Sequence, residues 1–60
     1  MTVKELKKQE IFKKARDVVF VDINGKDISY KPSIILDLLV VIGTSNMANG
    51  KIEVVVNYEE

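Results

Sequence analysis

The spacing of hydrophobic and polar positions predicts a helix at the start of the chain. Residues 2–16 contain no Gly or Pro, and Thr2 followed three residues later by Glu5 matches a capping box. The apolar positions of this segment cluster on one side at Ile11, Phe12 and Ala15. We therefore expect an amphipathic helix whose second half packs on the rest of the protein.

Two strands joined by a tight turn follow. Residues 17–23 are dense in Val, Phe and Ile, and Asn24-Gly25 is a strong hairpin signal. With Asn24 and Gly25 as a two-residue loop, Val21 faces Ile28 across the hairpin. This register predicts one core face and leaves Val18 and Phe20 on the opposite face. The predicted core face comprises Val19, Val21, Ile23, Ile28 and Tyr30.

The apolar run of residues 34–42 is compatible with two structures. Its β-branched residues favour a strand, whereas its length, the preceding Pro32-Ser33 and the terminating Gly43 favour a helix. We predict a helix capped by Ser33. Its core stripe would then be Ile35, Leu38, Leu39 and Ile42, which leaves on the flanks Ile34, Leu36, Val40 and Val41.

The last segments are predicted to be a loop and a strand. Residues 44–50 are small and polar, and residues 51–59 alternate, with Ile52, Val54 and Val56 on one face. The element order is therefore α-β-β-α-β. We expect an α+β two-layer sandwich with a three-stranded antiparallel sheet and both helices on one face.

Composition limits the chemistry that this chain can perform. Sixty residues make a single small domain, spanning 1–60, and the absence of His and Cys excludes catalytic triads, phosphohistidine and thiolate nucleophiles. The usual zinc and iron–sulfur ligands are missing as well. Asp22 and Asp27 would face each other beside the turn, but two carboxylates are too few ligands for a typical Ca²⁺ site. We expect no enzymatic activity, no metal and no cofactor.

Charge is unevenly distributed along a chain of zero net charge. Residues 1–16 hold six basic and two acidic residues, whereas residues 17–60 hold three basic and seven acidic ones. This split fits a solvated helix face or a head that packs on its own body, and nucleic-acid binding by the lysine-rich helix is the alternative. No targeting segment is expected, because residues 1–10 are basic and polar with no apolar stretch behind them. No membrane-spanning stretch is expected either, because the longest apolar stretch, residues 34–42, has nine residues and is interrupted by Asp37. The sequence predicts a cytoplasmic protein.

From about residue 10 to residue 58, the chain resembles the HPr-like domain of the sugar phosphotransferase phosphocarrier. The family's order of helix, strand, Asn-Gly-Lys turn, strand, Lys-Ser-Ile helix start and final strand is met at residues 12–23, Asn24-Gly25-Lys26, 27–30, Lys31-Pro32-Ser33-Ile34 and 50–58. The resemblance implies that the second helix docks other proteins. Ser33 falls where the family carries a regulatory serine, although Pro32 is inserted before it.

The departures from that family define the expected function. The family's phosphorylated histidine and its first strand are missing, so phosphocarrier activity is not implied. We expect a non-enzymatic interaction module that binds a protein partner or a second copy of itself. The expected binding residues are Phe20 on the sheet and, along the second helix, Ile34, Leu36, Val40 and Val41.

Overall fold

The computed structural model describes residues 1–59 as a small α+β domain with three short helices and a three-stranded mixed sheet. The helices are α1 (Val3–Leu6), α2 (Glu10–Lys14) and α3 (Ser33–Leu36). The strands are β1 (Asp17–Val21), β2 (Val41–Asn46) and β3 (Lys51–Val56), and a single 3-10 turn (Ala48–Gly50) joins β2 to β3. No helix formed by these residues is long and apolar enough to cross a membrane.

The central strand of the sheet is β3, which pairs in parallel with β1 and antiparallel with β2. The prediction of an all-antiparallel sheet was therefore wrong. Strand β1 does not form a full hairpin with residues 26–30, which contribute only an isolated bridge between Val21 and Asp27. The two-stranded hairpin of the sheet is β2–β3, and its turn contains the second Asn-Gly pair, Asn49-Gly50, where both residues have positive φ.

The first Asn-Gly pair forms a three-residue loop instead of the predicted two-residue loop. Asp22 N donates to Lys26 O and Gly25 N donates to Asp22 O, with Gly25 at φ +81°. A type I turn followed by a left-handed Gly closes such three-residue loops. The extra loop residue shifts the register by one, so Ile28 N donates to Phe20 O.

This register shift reverses the predicted faces of β1, because successive side chains of a strand point to opposite faces. Phe20 is 8% exposed and belongs to the core with Ile28, whereas Tyr30, predicted to be buried, is exposed beside Lys31. Val19 and Val21 alternate with Phe20 and take the other face of β1, where Val19 is half-buried and Val21 is buried, at 4% exposed. The prediction for β3 is confirmed: its three alternate residues Ile52, Val54 and Val56 are all buried.

The N-terminal segment forms two short helices instead of the single predicted helix. The interruption lies between the end of α1 and Glu10, the first residue of α2. The capping box of α1 is confirmed: Thr2 N donates to Glu5 Oε1 and Glu5 N donates to Thr2 Oγ1. Val3 and Leu6 of α1 are buried in the core, and Phe12 of α2 packs against it.

The predicted long helix over residues 33–42 was also wrong. Helical structure ends at Leu36, and the β-branched residues that follow enter strand β2. β-Branched side chains lose χ1 freedom in a helix, and here they gain strand pairing with β3. Residues 44–46, predicted to be loop, complete β2, and β3 ends at Val56 rather than at residue 59.

Candidate docking surface

Within residues 1–59, the two most exposed large apolar side chains belong to α3 and the turn after it. Ile34 is 76% exposed, Leu38 is 75% exposed and Ile35 is 45% exposed. Leu38 follows α3, and its N–H donates to Ile35 O at 3.2 Å, so the chain keeps a helical course to that residue. Leu38 therefore lies one turn after Ile34 and Ile35, and residues one turn apart share a face. We call Ile34, Ile35 and Leu38 the apolar ridge.

The segment that carries the apolar ridge is fixed to α1 by its backbone. Val3 N donates to Leu39 O at 2.9 Å, and Lys4 N donates to Asp37 O at 3.2 Å. The first N–H groups of a helix have no partner within the helix, and here the carbonyls that follow α3 accept them. The free backbone N–H groups at the start of α1 therefore find hydrogen-bond acceptors in the turn that follows α3.

Two side chains add to this attachment. Leu36 is 4% exposed and lies in the core, and Lys7 Nζ lies 2.6 Å from Asp37 Oδ1. This ion pair is about one-third exposed, so it contributes on the order of 1 kcal/mol or less. The apolar ridge thus lies on a helical turn that is anchored by Leu36 and by α1.

The structure places the five predicted binding residues in different environments. Ile34 and Val40 are exposed, and Val41 is half-buried at the start of β2. Leu36 and Phe20 are buried, so the prediction that they lie on an outer surface was wrong. The reasons are the end of the helix at Leu36 and the register shift beside β1.

Ile35 and Leu38 are ridge residues that the sequence reasoning assigned to the core. That assignment assumed a ten-residue helix, whereas a single helical turn buries only Leu36 toward the sheet. Ser33 is exposed, but it is the first helical residue and not the cap. Pro32 is the N-cap, and its carbonyl accepts from Ile35 N and Leu36 N. A regulatory role for Ser33 stays a prediction.

The two carboxylates of the first turn bind the backbone instead of facing each other. Asp22 is 2% exposed, and its Oδ1 accepts from Asn24 N and Lys26 N, both at 2.9 Å. Asp27 Oδ1 accepts from Ser29 N at 2.7 Å, and this hydrogen bond lowers the pKa of the Asp27 carboxyl. Sequence reasoning missed this structural role of Asp22, although Asp two residues before Asn-Gly is a recognisable turn signal.

The basic residues of the N-terminal segment do not form one continuous helical face. The helix is interrupted between Leu6 and Glu10, Lys7 pairs with Asp37, and Lys14 lies 3.9 Å from Glu10. The nucleic-acid alternative has no specific support from this arrangement and stays a prediction. Among residues 1–59, no group of three or more His, Cys, Asp or Glu side chains is placed to hold a metal ion.

Comparison of the chain with protein-family models, with curated proteins and with solved structures found no match. These comparisons do not bear on the resemblance to HPr-like domains, which stays a prediction.

Proposed function

We propose that this chain is a non-enzymatic interaction module that docks a protein through the apolar ridge. The observation that carries the proposal is the exposure of Ile34 and Leu38, each about three-quarters accessible, on a turn held by hydrogen bonds to α1. Contiguous exposed apolar side chains are typical of protein interaction sites. A ridge that is already fixed in place loses little conformational freedom on binding, which favours affinity.

The partner expected at this surface presents an apolar groove. Ile34 and Leu38 project as neighbouring side chains one turn apart, a spacing that fits helix-in-groove recognition. No charged side chain belongs to the ridge itself, and Asp37 between its members is paired with Lys7. Docking here is therefore expected to depend on buried apolar area rather than on ion pairs.

The experiment is site-specific photocrosslinking in the cells that produce the protein. A benzophenone amino acid replaces Ile34 in one variant and Ile23 in a matched control, since Ile23 is an exposed apolar residue of the first loop. We expect a discrete protein adduct at position 34 and none of that mass at position 23. The adduct is identified by mass spectrometry, and the purified partner is then titrated with the wild type and with Leu38→Glu.

Leu38→Glu should abolish binding while the circular dichroism spectrum stays that of the wild type. The proposal is wrong if position 34 gives no adduct beyond that of position 23. It is also wrong if the identified partner binds Leu38→Glu and the wild type with equal affinity.

A further inference from the structure

The outer edge of β2 is a second unpartnered surface, separate from the apolar ridge. The outer edge of β1 is occupied, because Ile28 N donates to Phe20 O and Phe20 N donates to Ser29 Oγ. The edge of β2 is occupied only at its start, where Val41 N donates to Met1 O. Beyond Val41, no backbone group within residues 1–59 pairs with this edge.

The hydrogen-bonding pattern identifies which backbone groups face outward. Met47 N donates to Lys51 O, and bonded pairs alternate along an antiparallel ladder, so Ser45 pairs inward with Glu53. The N–H and C=O groups of Thr44 and Asn46 therefore point away from the sheet. The β-bulge of this strand lies between Val41 and Gly43 and leaves the stretch from Thr44 to Asn46 regular.

Beyond its β-bulge, the stretch of this edge from Thr44 to Asn46 lacks the features that normally prevent strands from pairing with other chains. Charged residues make up 30% of the protein, yet residues 38–50 contain none, and the edge strand contains no Pro. Natural edge strands are usually protected by Lys, Pro or an inward-pointing charge. An uncharged edge can meet an identical edge without bringing like charges together.

We propose that β2 pairs antiparallel with β2 of a second copy of this chain, with the two-fold axis at Ser45. In that register Thr44 lies opposite Asn46 of the second copy, and Asn46 lies opposite its Thr44. Both pairs use outward-facing groups, so the junction makes four backbone hydrogen bonds. The two three-stranded sheets become one sheet of six strands, and the interface is isologous.

The side chains beside the axis fit the same register. Met47, an exposed hydrophobic residue, lies opposite Gly43 of the second copy. A Cβ at Gly43 would meet no atom within 4 Å, so there is open space above that residue. The interface places the large Met47 side chain over the residue that has none, once on each side of the axis.

The test introduces a positive charge at Ser45 in one variant and a negative charge at Ser45 in another, because the two-fold axis brings the two Ser45 side chains together. Sedimentation velocity is run on the protein without an N-terminal tag, since residues added before Met1 would extend along the edge of β2. We expect a dimer for the wild type. Ser45→Lys and Ser45→Glu, each alone, should weaken self-association at least about tenfold through like-charge repulsion, and an equimolar mixture should restore the dimer.

Leu38→Glu serves as the matched control, because it alters the apolar ridge and leaves the β2 edge intact. This variant should dimerise as the wild type does, so failure of the ridge proposal and failure of the edge proposal give different results. Circular dichroism confirms that each variant is folded. A wild type that stays monomeric at hundreds of micromolar overturns the proposal, as does a mixture that fails to restore the dimer or a Ser45→Lys variant that associates normally.

Discussion

The buried carboxylate of Asp22 is expected to be a major determinant of stability in this domain. Its Oδ1 accepts hydrogen bonds from Asn24 N and Lys26 N, and these bonds hold the three-residue loop that sets the register of Phe20 with Ile28. Asp22→Ala removes both bonds and leaves the backbone bonds Asp22 N to Lys26 O and Gly25 N to Asp22 O in place.

The expected loss in the free energy of unfolding follows from how many hydrogen bonds Asp22→Ala removes and from how exposed to water their partners are. Hydrogen bonds to a charged group contribute about 1.5–3 kcal/mol each when their partners are sealed from water. Because Asn24 and Lys26 are exposed residues, water replaces part of the loss. We expect Asp22→Ala to lower the free energy of unfolding by about 2–3 kcal/mol. The whole domain is expected to have only about 3–9 kcal/mol at sixty residues.

Urea denaturation followed by circular dichroism measures this loss, and the melting temperature should fall by about 10–20 °C. Two controls isolate the carboxylate. Asp22→Asn keeps an acceptor oxygen and should lose less than Asp22→Ala, whereas Asp27→Ala removes one exposed hydrogen bond to Ser29 N and should lose least. Equal losses for Asp22→Ala and Asp27→Ala would refute the proposed role of burial.

Two further predictions concern the β2–β3 turn and the first capping box. Gly50 has φ +76°, so Gly50→Ala should cost about 1–2 kcal/mol in urea unfolding. Gly25→Ala should cost a similar amount, because Gly25 has φ +81° and a Cβ added there would meet no atom within 4 Å. A Cβ added at Gly50 would lie 3.2 Å from the Arg16 side chain, so a much larger loss for Gly50→Ala would mean that this side chain cannot move away. Hydrogen bonds from Thr2 lower the pKa of Glu5, so ionised Glu5 stabilises the fold above its ordinary pKa, and this contribution disappears as the pH falls through the lowered value. The stability difference between wild type and Glu5→Gln should therefore be largest above about pH 4.3 and shrink in acid, and a pH-independent difference would contradict it.

Local signals in the sequence predicted the local features of the fold well. The Thr2–Glu5 capping box, the alternation of β3 and the presence of a turn at Asn24-Gly25 each depend on a few neighbouring residues, although that turn has three loop residues instead of the predicted two. Such features follow from short-range chemistry, which a sequence displays directly. Helical structure at the start of the chain was predicted correctly, but the single long helix expected there is two short ones, α1 and α2.

Features that depend on long-range pairing were not predictable in the same way. The parallel pairing of β1 with β3 joins Asp17 to Lys51, and nothing near either residue indicates it. One additional loop residue beside Asn24 reversed the faces of β1 and moved Phe20 into the core. The candidate site changed for the same reason: Ile34 is exposed as predicted, but Leu36 is buried because the helix has one turn.

The structure explains part of the uneven charge of the chain. The dependence of binding on salt concentration distinguishes self-association through β2 from oligonucleotide binding by the lysines. Lys7 of the basic segment pairs with Asp37 of the acidic body, whereas the apolar ridge and the β2 edge contain no charged side chain. Self-association through β2 should therefore change little as salt is raised, because screening acts on charges and not on backbone hydrogen bonds or apolar contacts. Binding of an oligonucleotide by the lysines would fall steeply over the same range through counterion release. Fluorescence anisotropy with a labelled oligonucleotide, compared with sedimentation at matched salt concentrations, measures both. Tight oligonucleotide binding with a steep salt slope, beside an absent dimer, would favour the nucleic-acid alternative over docking.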